Sequence, residues 1–245
     1  MAWSPTTYLT YGDERTRPAL DLLARVQLEK ATRVADLGCG PGNSTGPLVA
    51  RWPDAQVVGV DNDRAMLEKA RASGVRATFV EGDAATWTPI SSTVDLLFSN
   101  ATLQWLPDHA TLFPRLLSLV RPGGVLAVQM PRNFDAPSHE LLRETARDGP
   151  WAKDVADLAR SAPVHGPEVY TDLLEPLAAS LDIWETTYIH RLTGPDPVLG
   201  WTKGTALVPF LERLGDRTQA FLSAYAARLH AAYPARPSGD RKSVV

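Results

Sequence analysis

Val34-Ala35-Asp36-Leu37-Gly38-Cys39-Gly40-Pro41-Gly42-Asn43-Ser44-Thr45 decides how this chain is read. A short apolar run enters a turn with glycine at every second position, and a helix start follows. Glycine lets the backbone turn tightly and lets a ligand approach the main chain. The following helix aims free N–H groups and a partial positive charge at the turn. Together they form a cradle for a polar or anionic group at the carboxyl end of a strand, where open α/β sheets bind ligands. A surface loop with scattered glycines is the competing reading.

A dinucleotide fingerprint needs G-x-G-x-x-G. Here Asn43 stands where its third glycine would be. A phosphate-binding Walker loop needs Gly-Lys-Ser/Thr, and the stretch has no lysine.

Working outward, the chain alternates strands and helices. Leu20, Leu22, Leu23, Val26 and Leu28 give a helical apolar face, with Pro18 suited to its first turn. Strands are predicted at 33–37, 56–60, 77–80, 94–98 and 125–130, with helices between them. Each strand is a nearly continuous apolar run, as a parallel sheet covered on both faces requires. Trp52-Pro53 stops one helix. Asp63 caps the next, over 64–72, and Gly74 ends it. Asp108 caps another that contains Pro114, and Arg121-Pro122-Gly123-Gly124 reads as a tight turn.

The expected fold class is α/β with a doubly wound, mostly parallel sheet. That winding brings Gly38, Gly40 and Gly42, Asp61, Asp83 and Asn100 to the carboxyl ends of the first four strands. Asp61 lies about 20 positions past the turn, the spacing of a residue that accepts two ribose hydroxyls. Asp83 at a strand exit could accept from an adenine amino group. Met66 could pack on an adenine face or in the core. Asp36, Ala84 and Gln104 complete the candidate cofactor set.

A chain of 245 residues fits one domain, here 1–233, with 18–134 as the cofactor core. Residues 135–178 and 194–233 read as helical insertions able to roof the site, and 181–192 as a long strand between them. The polar tail 234–245 offers no strand and is expected to be disordered.

The composition is 44% hydrophobic and 22% charged, and the formal net charge is −3 without a basic run. Nucleic acid and anionic membranes are therefore not expected partners, nor is an obligate protein partner. The single cysteine, Cys39, forms no internal disulfide and suits a reducing cytoplasm. No stretch reaches membrane-spanning length, and the first residues do not form a signal peptide. The five histidines show no metal-ligand spacing, so no metal is expected.

The D-x-G-x-G-x-G pattern resembles the first motif of class I S-adenosylmethionine-dependent methyltransferases. More particularly, the stretch 35–45 resembles the motif of trans-aconitate 2-methyltransferases. So do Asn100-Ala101-Thr102-Leu103-Gln104-Trp105-Leu106-Pro107-Asp108-His109 and Gly124-Val125-Leu126-Ala127-Val128-Gln129-Met130-Pro131. The stretches Tyr8-Leu9 to Ala19 and Asp182-Ile183-Trp184 to Tyr188 are similar too. The resemblance covers roughly residues 3–234. It implies a Rossmann-like sheet, S-adenosylmethionine as cofactor, and methyl transfer to a carboxylate of trans-aconitate, giving a monomethyl ester. The family's sheet usually finishes with an antiparallel strand after 233–234. A polar tail stands there instead, so the sequence looks truncated or altered, and an exposed sheet edge with lowered stability is expected.

A carboxylate is ionised at neutral pH, so no catalytic base is expected. A polycarboxylate needs cations, and arginine binds carboxylates bidentately. The candidates are Arg15, Arg17 and Arg132, with Trp105, Tyr170 and His190 beside them and Tyr8 and Trp201 as weaker ones. Each arginine could instead be a solvated surface charge, and Trp105 a core residue. Two alternatives stay open. One is a carboxyl methyltransferase for another acceptor, such as malonyl-acyl carrier protein. The other is a non-catalytic S-adenosylmethionine-binding module.

Overall fold

The computed structural model describes residues 12–90, 93–160, 164–234 and 241–244, with the backbone alone at 12–15 and 241–244. Helix α1 (Gly12–Arg25) leads into β1 (Arg33–Leu37), α2 (Thr45–Arg51), β2 (Gln56–Asp61), α3 (Arg64–Ala72) and β3 (Thr78–Glu81). Then come β4 (Val94–Asn100), a 3-10 turn (Leu103–Trp105), α4 (His109–Ser118) and β5 (Val120–Gln129). The sheet order is β3-β2-β1-β4-β5, and every pairing in it is parallel. The order reverses between β1 and β4, which opens a crevice at the carboxyl ends of those two strands.

The strands are buried on both faces because their neighbouring residues feed two cores. Val34, Leu96 and Phe98 pack with Leu22 and Leu23 of α1, with Val26 just after it, and with Leu48 of α2. Ala35, Leu37 and Leu97 face the other way, onto Leu112, Phe113 and Leu116 of α4. Full burial of a leucine or phenylalanine contributes ~1.5–3 kcal/mol, so this two-sided pattern fixes the register. Cys39 sits 2% exposed against Leu67, Ala70 and Phe79. Burial, with Asp36 and Asp61 nearby, pushes its thiol well up, so it is a packing residue.

Helices α5 (Pro137–Arg147), α6 (Ala152–Val155) and α7 (Pro167–Leu174) follow, then α8 (Pro197–Lys203), α9 (Val208–Leu214) and α10 (Thr218–Ala232). A separate helical core joins α5, α6, α8, α9 and α10 around Trp151, Phe210, Phe221 and Tyr225. Tyr225 donates to the Ser138 carbonyl at 2.8 Å, tying α10 to the start of α5.

Five expectations change. The helix expected between the third and fourth strands is absent among the described residues, where the chain passes from β3 to β4 through turns and loop. Pro18 lies inside α1, which begins six residues earlier; the apolar face after Pro18 is what anchors the helix. Residues 121–124 do not form a turn ahead of the fifth strand but bulge within β5, since Val94 faces Val120 while Leu96 faces Val125. A side chain at Gly124 would meet the Asp95 carbonyl, which explains the glycine there. The long strand expected over 181–192 shrinks to β6 (Ile189–Leu192). Residues upstream are held by side chains instead: Arg25 lies over the Trp184 ring at 4.4 Å and pairs with Asp182 at 3.2 Å.

The last change concerns the tail. Arg241–Val244 forms β7, antiparallel to β6, with Ile189 opposite Val244 and Leu192 opposite Arg241. Strand pairing satisfies backbone groups whatever the local polarity, which is why composition misses it. The expectation of disorder over 235–240 lies outside the described residues. Among the described residues, β5 is a sheet edge with no antiparallel neighbour.

Candidate active site

The turn after β1 is built by backbone geometry. Gly38, Gly40 and Gly42 have φ of 71°, 53° and 94°. At Gly38 a side chain would also sit 2.0 Å from the Thr102 hydroxyl, so the loop after β4 packs directly on the turn. Thr102 fastens the two by donating to the Gly38 and Asn100 carbonyls, each at 3.2 Å. At Gly40 a side chain would meet nothing within 4 Å, which leaves room beside the turn.

Asp36, fully buried, holds the helix that follows. Its Oδ2 accepts from the Ser44 and Thr45 hydroxyls, each at 2.7 Å, while Oδ1 has no partner. Burial pushes its carboxyl up to about 6, although the two hydroxyls pull the other way. Asp61 ends β2 and accepts from the Gly40 N–H at 2.8 Å and the Asp63 N–H at 2.9 Å. Its carboxylate is thereby fixed against the turn, and burial raises its pKa. Asp63 caps α3 as expected, accepting from Ala65 and Met66. Met66 is buried, Asp83 is exposed and accepts from the Ala85 N–H, and Ala84 is buried in the core under α4.

Across the crevice, Asn100 ends β4 and Gln104 lies in the 3-10 turn. Gln104 donates to the Ala101 carbonyl at 2.7 Å, while its Oε1 and Asn100 Oδ1 are buried without a donor. Ala101 has φ of 52°, a conformation uncommon outside glycine, so this loop is tightly constrained. His109 secures it. Its Nε2 lies 3.0 Å from the Leu103 carbonyl, which can only accept, so Nε2 carries the proton and Nδ1 accepts from the Tyr170 hydroxyl at 2.7 Å. Burial lowers the His109 pKa and so favours this neutral form.

A cavity of about 1340 Å³ runs from this crevice along the β5 edge, lined by Asn100, Gln104, Trp105, Gln129 and Arg132 among others. Trp105 is 48% exposed, so it is a wall of the cavity and not a core residue. Arg132 is ion-paired with Glu185, and both are half exposed. Tyr170 is buried, and its hydroxyl is taken by His109 and by the His165 N–H at 3.1 Å. His190 is buried and stacked 4.9 Å from Trp201. Arg17 is exposed, with its guanidinium 5.1 Å from the Tyr188 ring centroid. The side chain of Arg15, and Tyr8, lie outside the described residues.

The structure thus joins the glycine turn to Asp61 and to the loop after β4, and of the candidate cofactor residues Asn100 and Gln104 line the cavity that also holds Arg132. Sequence reasoning missed His109, Thr102 and Gln129. All three lie in the quoted motif stretches, Thr102 and His109 in 100–109 and Gln129 in 124–131, but nothing there gave them a role.

These residues fit S-adenosylmethionine. The open turn suits a close backbone approach, Asp61 suits a ribose diol, and the unpaired oxygens of Asp36, Asn100 and Gln104 suit a cationic group. A parallel sheet of this winding with such a crevice defines a class I S-adenosylmethionine-dependent methyltransferase. A family model described as a methyltransferase domain matches residues 34–124. In a solved complex of the Haloferax volcanii Trm112 methyltransferase activator and a methyltransferase, one chain shares the fold with a TM-score of 0.52. The identity is 19%, over 68% of this chain and 70% of that one.

Trans-aconitate 2-methyltransferases of Methylobacterium radiotolerans and Azoarcus sp. are each 51% identical to it over 98% of this chain, and over 93% and 94% of their own. That of Escherichia coli K12 is 45% identical over 97% of this chain and 92% of its own. The chain belongs to the trans-aconitate 2-methyltransferase family.

Proposed function

We propose that this chain transfers the methyl group of S-adenosylmethionine to a carboxylate of trans-aconitate, producing a monomethyl ester. The observation that carries this is the adjacency of the crevice to a large cavity holding Arg132. The identity to relatives of that name along nearly the whole chain supports it.

When bound, the cofactor supplies an electrophilic methyl on a sulfonium. The chain's own residues provide position and charge. Asp61, fixed by the Gly40 and Asp63 N–H groups, accepts from the ribose hydroxyls. Met66, Asp83 and Ala84 border the adenine. Asp36, Asn100 and Gln104 face the amino acid end, with Gly38, Gly40 and Gly42 giving backbone access. The acceptor carboxylate is already ionised, so no side chain removes a proton. Arg132 exchanges Glu185 for a substrate carboxylate, and Arg15 and Arg17 remain the candidates for the spare ones. Trp105 and His190 wall the acceptor and exclude water. Tyr170 lines the cavity and also holds His109 in place. Alignment of the reacting atoms can contribute ~7–11 kcal/mol, enough to make positioning the main catalytic device.

The substrate is a free small acid, and the reading places the enzyme in the cytoplasm without nucleic acid, membrane or protein partner. A net charge of −3 and a single buried cysteine support this. Among the described residues no helix is long and apolar enough to cross a membrane.

The test is transfer of labelled methyl to trans-aconitate, other small acids, malonyl-acyl carrier protein and a no-acid control. Preference for trans-aconitate supports the proposal. Faster labelling of another acceptor, or none with any acid, overturns it.

A further inference from the structure

We propose that Gln129 completes a set of three amide oxygens that receives the α-ammonium group of the methyl donor. This rests on the reading that the chain binds S-adenosylmethionine. Gln129 ends β5 directly opposite Asn100, which ends β4, so the two side chains rise from the same face of the sheet. Gln104 follows in the adjoining 3-10 turn, and all three line the same cavity.

The backbone around them is already satisfied. The Ala101 N–H donates to the Gln129 carbonyl at 3.0 Å, and Gln104 Nε2 to the Ala101 carbonyl at 2.7 Å. What is left over is one kind of atom. Gln129 Oε1, Asn100 Oδ1 and Gln104 Oε1 are each shielded from solvent and lack a donor. Buried polar groups are nearly always paired, so three orphaned acceptors on residues lining one cavity point to a missing donor. An ammonium group offers three N–H donors and no acceptor. A carboxylate would face oxygen on every side. The neutral amides also leave the neighbouring crevice without the extra negative charge that three carboxylates would add beside Asp36 and Asp61.

Which amide atom faces the cavity decides between a cation and an anion, and substitution reads it out. Calorimetry should compare S-adenosylhomocysteine, which keeps the ammonium, with 5′-methylthioadenosine, which lacks the amino acid end. Gln129→Leu should weaken S-adenosylhomocysteine about tenfold or more and leave 5′-methylthioadenosine unchanged. Gln129→Glu keeps an acceptor oxygen and should bind S-adenosylhomocysteine as tightly as the parent chain or tighter. Equal weakening of both ligands by Gln129→Leu would show a merely structural role and overturn the assignment. So would Gln129→Glu weakening S-adenosylhomocysteine as much as Gln129→Leu does, or neither variant changing its affinity. If the unsubstituted, folded chain binds neither nucleoside, the cofactor reading itself fails, and that result is separable from the others.

Discussion

Replacing Gly40 by alanine separates a ligand cradle from an ordinary turn. Gly40 has φ of 53°, and a Cβ there would meet no atom within 4 Å. The folded chain therefore bears only the backbone strain of a left-handed alanine, about 1–2 kcal/mol. For a domain of this size that lowers the melting temperature by about 2–8 °C. The new methyl projects beside the Gly40 N–H, which is bonded to Asp61, and so stands in the room a bound nucleoside needs. Blocking one close approach should weaken S-adenosylhomocysteine about tenfold or more, equivalent to at least ~1.4 kcal/mol. Gly74 supplies the control. It also has positive φ, 78°, and open space around its missing Cβ, but it lies past the far end of α3. Gly74→Ala should therefore show a similar melting shift with unchanged affinity. Isothermal calorimetry and thermal melts on both variants decide the matter. The reasoning is refuted if Gly40→Ala binds within twofold of the parent chain, or if Gly74→Ala weakens binding as much.

Further outcomes follow from the same contacts. Asp36 has a folded pKa of about 6 against an ordinary value of 3.8, so the folded state holds more protons between those values and the group's contribution to stability falls as pH rises through them. Relative to Asp36→Asn, the parent chain should therefore lose about 2 kcal/mol of unfolding free energy between about pH 4.5 and about pH 7.5, and parallel denaturation curves across that range would contradict it. Glu185→Gln frees Arg132 from a half-exposed ion pair worth at most ~1 kcal/mol, so the acceptor KM should fall by up to about fivefold with kcat held; a rise in KM would count against Arg132 as a substrate ligand. Tyr170→Phe strands His109 Nδ1 and the His165 N–H, lowering stability by about 1–3 kcal/mol, and an unchanged melt would show that the Leu103–Trp105 turn does not depend on this pair.

The proposed cofactor half of the site is legible in the sequence because it is local. The turn at 38–42 carries its own glycines, and Asp61 and Asn100 each end an apolar run whose burial fixes the strand. Asp63 announces the start of α3 by its type and place alone. The substrate half depends on partners far apart in sequence. Arg132 meets Glu185 53 positions later, and His109 meets Tyr170 61 positions later, with nothing local in either pair to show it. The same distance hides β7, whose ladder to β6 exists only once both segments are placed. It also explains the overlong strand expected over 181–192, where alternation is real but, among the described residues, no strand pairs along 181–188. Gln129 lies between the cases: the motif around it is visible in the sequence, but its unpaired oxygen is visible only in three dimensions.

The central claim is that segments after β1, β2 and β4 hold one nucleoside, with its reactive end turned toward the cavity beside β5. A crystal structure of the chain with S-adenosylhomocysteine tests this most directly. The account predicts both ribose hydroxyls on Asp61, the backbone of 38–42 against the amino acid portion, and the sulfur facing Trp105 and Arg132. A nucleoside bound away from Asp61, or with its sulfur turned from that cavity, would contradict it.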